Sequence, residues 1–268
     1  MSKMGASSDG LQGRNRIVAF VDILGASEAA LSGKTAALVG DIFRLGRTMR
    51  WTHRIHRCDA DGCSALQEYR PGIAQFSDCL LLWSDPLDGL SPTQFVDAAG
   101  SFLWNLCAEM GRLLLAGIPF RAGVSEGPVV ILPELTIYAG RPIVEAAKLE
   151  SCQDWLGAAM VFADRPDRLI KSPNDIYVAG GRSMFEHSLV PDVPVPLKAK
   201  ASGHTSGNTV VALNWALSTQ EAQGPSYLDL KTKLHDLQLS AGDSAQEKYN
   251  LAMQFLTEVE RRSVTAAT

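Results

Sequence analysis

The chain has 268 residues, 46% of them hydrophobic, and a formal net charge of −4. That length supports one large domain or two small ones, and mild acidity excludes bulk nucleic-acid binding, which needs a basic surface. No apolar run approaches the roughly 20 residues that span a bilayer, and five cysteines, an odd number, read as free thiols of a reducing cytoplasm.

Residues 1–14 are polar and glycine-rich and read as disordered, neither a signal peptide nor an anchor. "IVAFVDIL" (17–24) is β-branched and aromatic and too short for a helix, so it predicts a buried strand. It carries a carboxylate, Asp22, just ahead of Gly25. Ser27 then caps a predicted helix to about Arg50, with Leu31, Leu38, Ile42 and Leu45 at helical spacing. Residues 51–70 read as irregular. They include His53, His56, Cys58 and Cys63, whose spacing matches no familiar zinc pattern and fits a surface loop. "DADG" (59–62) begins like a calcium loop, lacks its later acids, and reads as a turn.

"GIAQFSDCLLLW" (72–83) predicts two short strands folded back at Ser77-Asp78, with Cys79 in the core. Ser91, before Pro92, caps a long helix to Ala116. "IPFRAGVSEG" (118–127) predicts a strand ending at a glycine, and "GRPIVEAAKLES" (140–151) a helix with Pro142 in its first turn. "AAMVFA" (158–163) and "DIYVAG" (175–180) read as short strands, 191–208 as an edge hairpin or mobile arm, and 209–215 as a closing strand. The last forty or so residues contain an amphipathic helix with Tyr249, Met253, Leu256 and Val259 on one stripe, a packing or dimer helix.

The order up to residue 127 is strand, helix, strand, strand, helix, strand. It predicts an α+β fold: a ferredoxin-like βαββαβ core, antiparallel-rich with helices packed on it, plus a C-terminal helical extension. The organisation expected is a disordered segment 1–14, one domain over 15–215 and the extension over 216–268.

Asp22 at the end of the first strand and Asp78 at the turn between the second and third converge near one end of such a sheet. Either acid alone is a turn or cap residue. Together they suit hard divalent cations, which take carboxylate oxygens and substrate phosphates. A pair of such ions activates an attacking oxygen and neutralises a leaving phosphate. The turn Ile23, Leu24, Gly25, Ala26, Ser27 adds backbone N–H groups at a helix N-terminus, a seat for a triphosphate.

"FVDILGAS", "FSD", "FRAGVSEG" and "YAGRPIVEAAKLES", in that order over residues 16–165, resemble the class III nucleotide cyclase domain. The resemblance is strongest to the bacterial pyrimidine cyclases of the anti-phage system Pycsar. It implies two Mn²⁺ or Mg²⁺ ions held by Asp22, Asp78 and the Ile23 carbonyl. The ribose 3′-oxygen then attacks the α-phosphate of a nucleoside triphosphate in a homodimer with its sites at the interface. It further implies an effector that acts through the product; composition, charge and cysteine usage add the expectation of a cytoplasmic protein without nucleic-acid or membrane partners.

The departures narrow this. Where purine cyclases carry a base-reading Lys this chain has Ala74, and their second base-reading residue falls near Ile137. Apolar groups at both places argue against ATP and GTP. The helix positions that carry Asn and Arg in the family are Val144 and Lys148. Lys148 serves either as a point cation toward phosphate or as a solvent-facing partner of Glu145. Arg121, inside an apolar strand, takes either a structural ion pair or a phosphate role. Lys198 and Lys200 lie where the family places a phosphate-reaching lysine. Tyr69 and Arg70 precede the second strand as base-reading candidates, and an Arg there favours UTP over CTP. The resulting expectation is a uridylate cyclase producing cyclic UMP for anti-phage defence. A cytidylate cyclase, a purine cyclase and a catalytically degenerate nucleotide-binding regulator follow in that order. 

Overall fold

The structure, a computed structural model, describes residues 13–26, 53–58, 64–173, 188–199, 207–216 and 226–266, with 31, 33, 36–37, 39–40, 47 and 175. The strands of the main sheet are β1 (Arg14–Ile23), β4 (Gly72–Phe76), β5 (Cys79–Trp83), β6 (Phe120–Leu132), β7 (Ile137–Ala139), β8 (Gly157–Phe162), β9 (Leu189–Val190) and β10 (Thr209–Leu213). They form an eight-stranded sheet in the order β4-β5-β1-β6-β8-β10-β9, with β7 paired to β6. All pairs are antiparallel except β6 with β8. The order β4-β5-β1-β6 is that of a βαββαβ plait, as the element order predicts.

Alternation along the strands sends two sets of apolar residues to opposite faces. Ile17, Ala19, Val21, Leu80, Leu82, Ala122 and Val124 join the main core with α1 (Pro92–Leu115). Ser91 caps α1 through a reciprocal capping box with Gln94, and Pro92 begins it. The two C-terminal helices, α3 (Tyr227–Ser240) and α4 (Asp243–Ala266), contribute Leu230, Leu234, Tyr249, Phe255, Leu256 and Val259 to that same core, with Met253 packed at its edge. The predicted stripe is therefore a packing surface. No described helix is long and apolar enough to cross a membrane.

The other face gathers Val18, Ala74, Leu81, Trp83, Val129 and Ala146 beneath α2 (Arg141–Cys152). α2 lies so close to β6 that a Cβ at Gly123 would stand 2.1 Å from the Ala146 carbonyl oxygen and 2.6 Å from the Glu150 nitrogen. Glycine is required there by the close approach.

Several expectations need correction. Residues 53–69 are not irregular: β2 (His53–Cys58) and β3 (Ser64–Tyr69) form a separate two-stranded antiparallel hairpin. In "HRIHRC" only Ile55 and Cys58 are apolar, so the segment shows no period-2 signal. The 118–127 strand does not end at Gly127. It runs to Leu132, turns through a 3₁₀ segment (Pro133–Leu135) and returns as β7. Through Lys198 the 191–208 segment is docked, not a free arm: the Lys198 amide donates to the Cys152 carbonyl at 2.9 Å and the Asp154 amide to that of Pro196 at 2.9 Å. Leu31, expected on a buried stripe, is 91% exposed. Leu38, Ile42 and Leu45, residues 1–12, and all of the 175–180 strand except Asp175 lie outside the described residues.

Candidate functional site

Strand register places four chemically distinct side chains in one row across four strands. Phe76 of β4 stands opposite Cys79 of β5, Cys79 opposite Asp22 of β1, and Asp22 opposite Arg121 of β6. Opposed residues share a face, so thiol, carboxylate and guanidinium all point to the side covered by α2. Asp78 joins from the β4–β5 turn, where Ser77 takes φ +54°. The Ile23 amide donates to the Asp78 carbonyl at 3.4 Å, which ties the end of β1 to that turn.

One ligand atom from each of Asp22, Asp78 and Cys79 lies within 4.8 Å of the other two. The Cys79 thiol donates to Asp22 Oδ1 at 3.2 Å and approaches Asp78 Oδ1 at 3.9 Å. Burial raises the Asp22 carboxyl above its ordinary value and the Asp78 charge adds to this, while the Cys79 hydrogen bond and Arg121 oppose it. Burial likewise pushes the Cys79 thiol up, reinforced by Asp22 and Asp78. Two half-buried carboxylates held this close repel each other, and a divalent cation relieves that repulsion. The donor set therefore fits a divalent metal.

Arg121 closes the row from the β6 side. Its Nε donates to Glu150 Oε1 at 2.5 Å, its Nη1 to the Gln153 carbonyl at 3.1 Å, and its Nη2 lies 3.8 Å from Asp22 Oδ2. Gln153 is itself fixed, donating to the Ala122 carbonyl at 2.7 Å and accepting from Trp155 Nε1 at 2.8 Å. The structural ion pair is therefore formed, with Glu150, and it sits beside Asp22. Glu150 and Gln153 were missed from the sequence, although an Arg inside an apolar strand signals that some partner exists.

In the turn after β1, Gly25 takes φ +81° and a Cβ there would meet nothing within 4 Å, so backbone conformation alone calls for glycine. The Leu24 amide donates to the Pro119 carbonyl at 3.0 Å, and Ile23 is buried. The Ile23 and Leu24 amides are engaged inside the fold; Ala26 is buried, and Ser27 lies outside the described residues.

Lys148 is exposed on α2 and forms no ion pair among the described residues. Its anticipated partner Glu145 binds Arg165 at 2.5 Å, Arg168, Ser125 at 2.9 Å and Arg141 at 3.5 Å instead. The Glu145 pairing is thus not formed. Val144 on the same helix is 52% exposed. Lys198 is exposed and its Nζ donates to the Ser151 carbonyl at 2.6 Å, at the C-terminal end of α2. Arg70 is exposed in the link from β3 to β4, Tyr69 ends β3 with its side chain outside the described residues, and Lys200 lies outside them altogether. Ala74 is buried in the apolar cluster, whereas Ile137 on β7 is exposed.

No known family's sequence pattern matches this chain, and no curated protein matches it. Among solved structures it is similar to a bacterial light-regulated adenylyl cyclase, with 16% identity in each of two structures and TM-scores of 0.44 and 0.42. Those matches cover 88% and 82% of this chain, which spans 58% of the other chain in each case. It is also similar to the catalytic core of a rhodopsin–guanylyl cyclase with converted specificity, in complex with ATPαS. That match has 14% identity and a TM-score of 0.40, covering 75% of this chain and 95% of that one. Similarities of this size carry no argument about the reaction, so the chemistry is read from the side chains of this chain.

Proposed function

We propose that the protein is a pyrimidine nucleotide cyclase that converts UTP to 3′,5′-cyclic UMP and pyrophosphate. The observation that carries this reading is the convergence of Asp22 and Asp78, with ligand atoms within 4.8 Å of each other, at the end of a strand that runs into a turn at Gly25. Two carboxylates so placed hold Mn²⁺ or Mg²⁺, with the Ile23 carbonyl as a further oxygen ligand. Bound cations there supply charge neutralisation for a triphosphate and a lowered pKa for the ribose 3′-hydroxyl.

The chain's own residues divide the remaining work. Asp22 and Asp78 fix the register of the triphosphate against the strand ends. Backbone groups of the segment Ile23, Leu24, Gly25, Ala26 and Ser27 are assigned to the phosphates, although the Ile23 and Leu24 amides are already bonded within the fold. Arg121 offsets the carboxylate charge beside Asp22. Lys148, Lys198 and Lys200 are the remaining cations assigned to phosphate, Lys148 from the partner copy of a homodimer. Apolar Phe76, Leu135, Ile137 and Val144 are exposed on the elements bordering the α2 face, which suits burial against a second copy. Ala74 and Ile137 provide no hydrogen-bonding side chain for a purine edge, and Tyr69 and Arg70 are assigned to the pyrimidine base, Arg70 toward the O4 acceptor of uracil. Following the Pycsar resemblance, the product is a second messenger for anti-phage defence, read by a separate effector.

Incubation with each nucleoside triphosphate and Mn²⁺, with products identified by mass, tests this. Faster turnover of CTP moves the reading to a cytidylate cyclase, and of ATP or GTP to a purine cyclase. One observation favours a second reading, a nucleotide-binding regulator: Val144 and Lys148 stand exposed where the family carries Asn and Arg. Metal-dependent nucleotide binding without turnover would establish it.

A further inference from the structure

Among the cysteines whose side chains the structure describes, Cys79 is half-buried, whereas Cys107 and Cys152 are buried. The sequence reads it as core, but β5 alternates the other way. Leu80 and Leu82 enter the main core, so Cys79 shares its face with Leu81 and Trp83 and lies directly opposite Asp22. Its sulfur stands 3.2 Å from Asp22 Oδ1 and 3.9 Å from Asp78 Oδ1, and all three ligand atoms fall within 4.8 Å. A cation attracted by the two carboxylates therefore meets the sulfur in the same space.

The geometry points to Cys79 as a third protein ligand of the cation, giving an O,O,S donor set that selects borderline and soft divalent ions such as Co²⁺, Zn²⁺ and Cd²⁺ over Mg²⁺. This rests on reading Asp22 and Asp78 as the cation-binding pair. Mg²⁺ takes hard oxygen ligands in a strict octahedron, and thiolate adds little to its affinity. Thiolate binds zinc-like ions strongly, and divalent affinities rise from Mn²⁺ toward Cu²⁺. As the metal–sulfur bond forms, the thiol proton leaves to solvent and no electron is transferred. Of the two proposed activating ions, Mn²⁺ is favoured over Mg²⁺ by such a set, and Zn²⁺ or Cd²⁺ displaces both.

The test uses the full-length chain without nucleotide, in a Cys58→Ser/Cys63→Ser background that removes the thiols of the His- and Cys-containing 53–63 segment. Titration with Co²⁺ and with Cd²⁺ is followed by ultraviolet absorption. The expected result is a sulfur-to-metal charge-transfer band that disappears in Cys79→Ser, with Cd²⁺ affinity lowered about tenfold or more. Asp22→Asn is expected to weaken the band as well. A missing band, or one that survives in Cys79→Ser, overturns the assignment. Should Cys79→Ser not fold, alkylation of Cys79 by N-ethylmaleimide, read by mass spectrometry, replaces it. Cd²⁺ but not Mg²⁺ is expected to slow alkylation about tenfold, and equal rates with and without Cd²⁺ count against a sulfur ligand. Neither readout involves turnover, so an inert cyclase assay leaves this result standing. A failure here likewise leaves oxygen-only metal binding by Asp22 and Asp78 intact.

Discussion

Arg121 is bound to Glu150 at 2.5 Å and reaches Asp22 only at 3.8 Å, so the guanidinium is drawn toward the helix and held off the strand-end acid. Both partners of the shorter pair are almost wholly buried. Truncating one member leaves the other charge uncompensated. Arg121→Met is therefore expected to cost about 3–5 kcal/mol, and Arg121→Met with Glu150→Leu to recover most of it. Urea unfolding at constant m-value measures both, and an additive double variant contradicts the coupling.

Glu150 also holds the guanidinium away from Asp22, the proposed metal ligand. In Glu150→Gln the guanidinium loses its charged partner and moves to Asp22, competing directly with the metal. Mn²⁺ affinity, measured from the electron paramagnetic resonance of the free ion, is expected to fall several-fold with the fold intact. Unchanged affinity would mean that Glu150 only stabilises α2.

Gly123 couples the α2 packing to the site. A methyl group there would meet the Ala146 carbonyl and the Glu150 amide. Gly123→Ala is expected to push α2 outward, cost about 1–3 kcal/mol, and displace Glu150 from Arg121. Thermal denaturation reads the first effect and Mn²⁺ affinity the second.

Glu126 lies fully buried on the main-core face of β6, accepting from the Leu169 and Ile170 amides at 3.2 Å each, with Arg168 and Asp167 as its charged neighbours. Burial raises its carboxyl from 4.5 to about 7, against the amides and Arg168. Because the folded value is the higher, its contribution to stability is complete below pH 4.5 and is lost as pH rises through about 7. That difference amounts to roughly 3–3.5 kcal/mol as an upper bound. Glu126→Gln is expected to match the wild type in acid and to exceed it at pH 8, by several degrees in Tm. A pH-independent difference would contradict this.

Much of the site was legible because local chemistry set it. Apolar runs on both sides of Ser77-Asp78 marked the turn, and the break from "FVDIL" into Gly25 marked the other acid. What could not be read was long-range. Glu150 and Gln153 lie 29 and 32 residues beyond Arg121, and only packing of α2 on β6 brings them there. The direction of Cys79 was hidden because "CLLLW" is apolar on both faces of β5, so alternation named no preferred side. The 53–69 hairpin was hidden for the opposite reason, having too few apolar residues to alternate.

The decisive assay incubates wild type, Asp22→Ala and Asp78→Ala with UTP, CTP, ATP and GTP in Mn²⁺ and identifies the product's mass and nucleobase. Wild type is expected to release cyclic UMP and pyrophosphate fastest, and both variants to lose that activity by about a hundredfold or more. All four nucleotides left intact, with wild type indistinguishable from Asp22→Ala, would contradict a catalytic role for the acid pair.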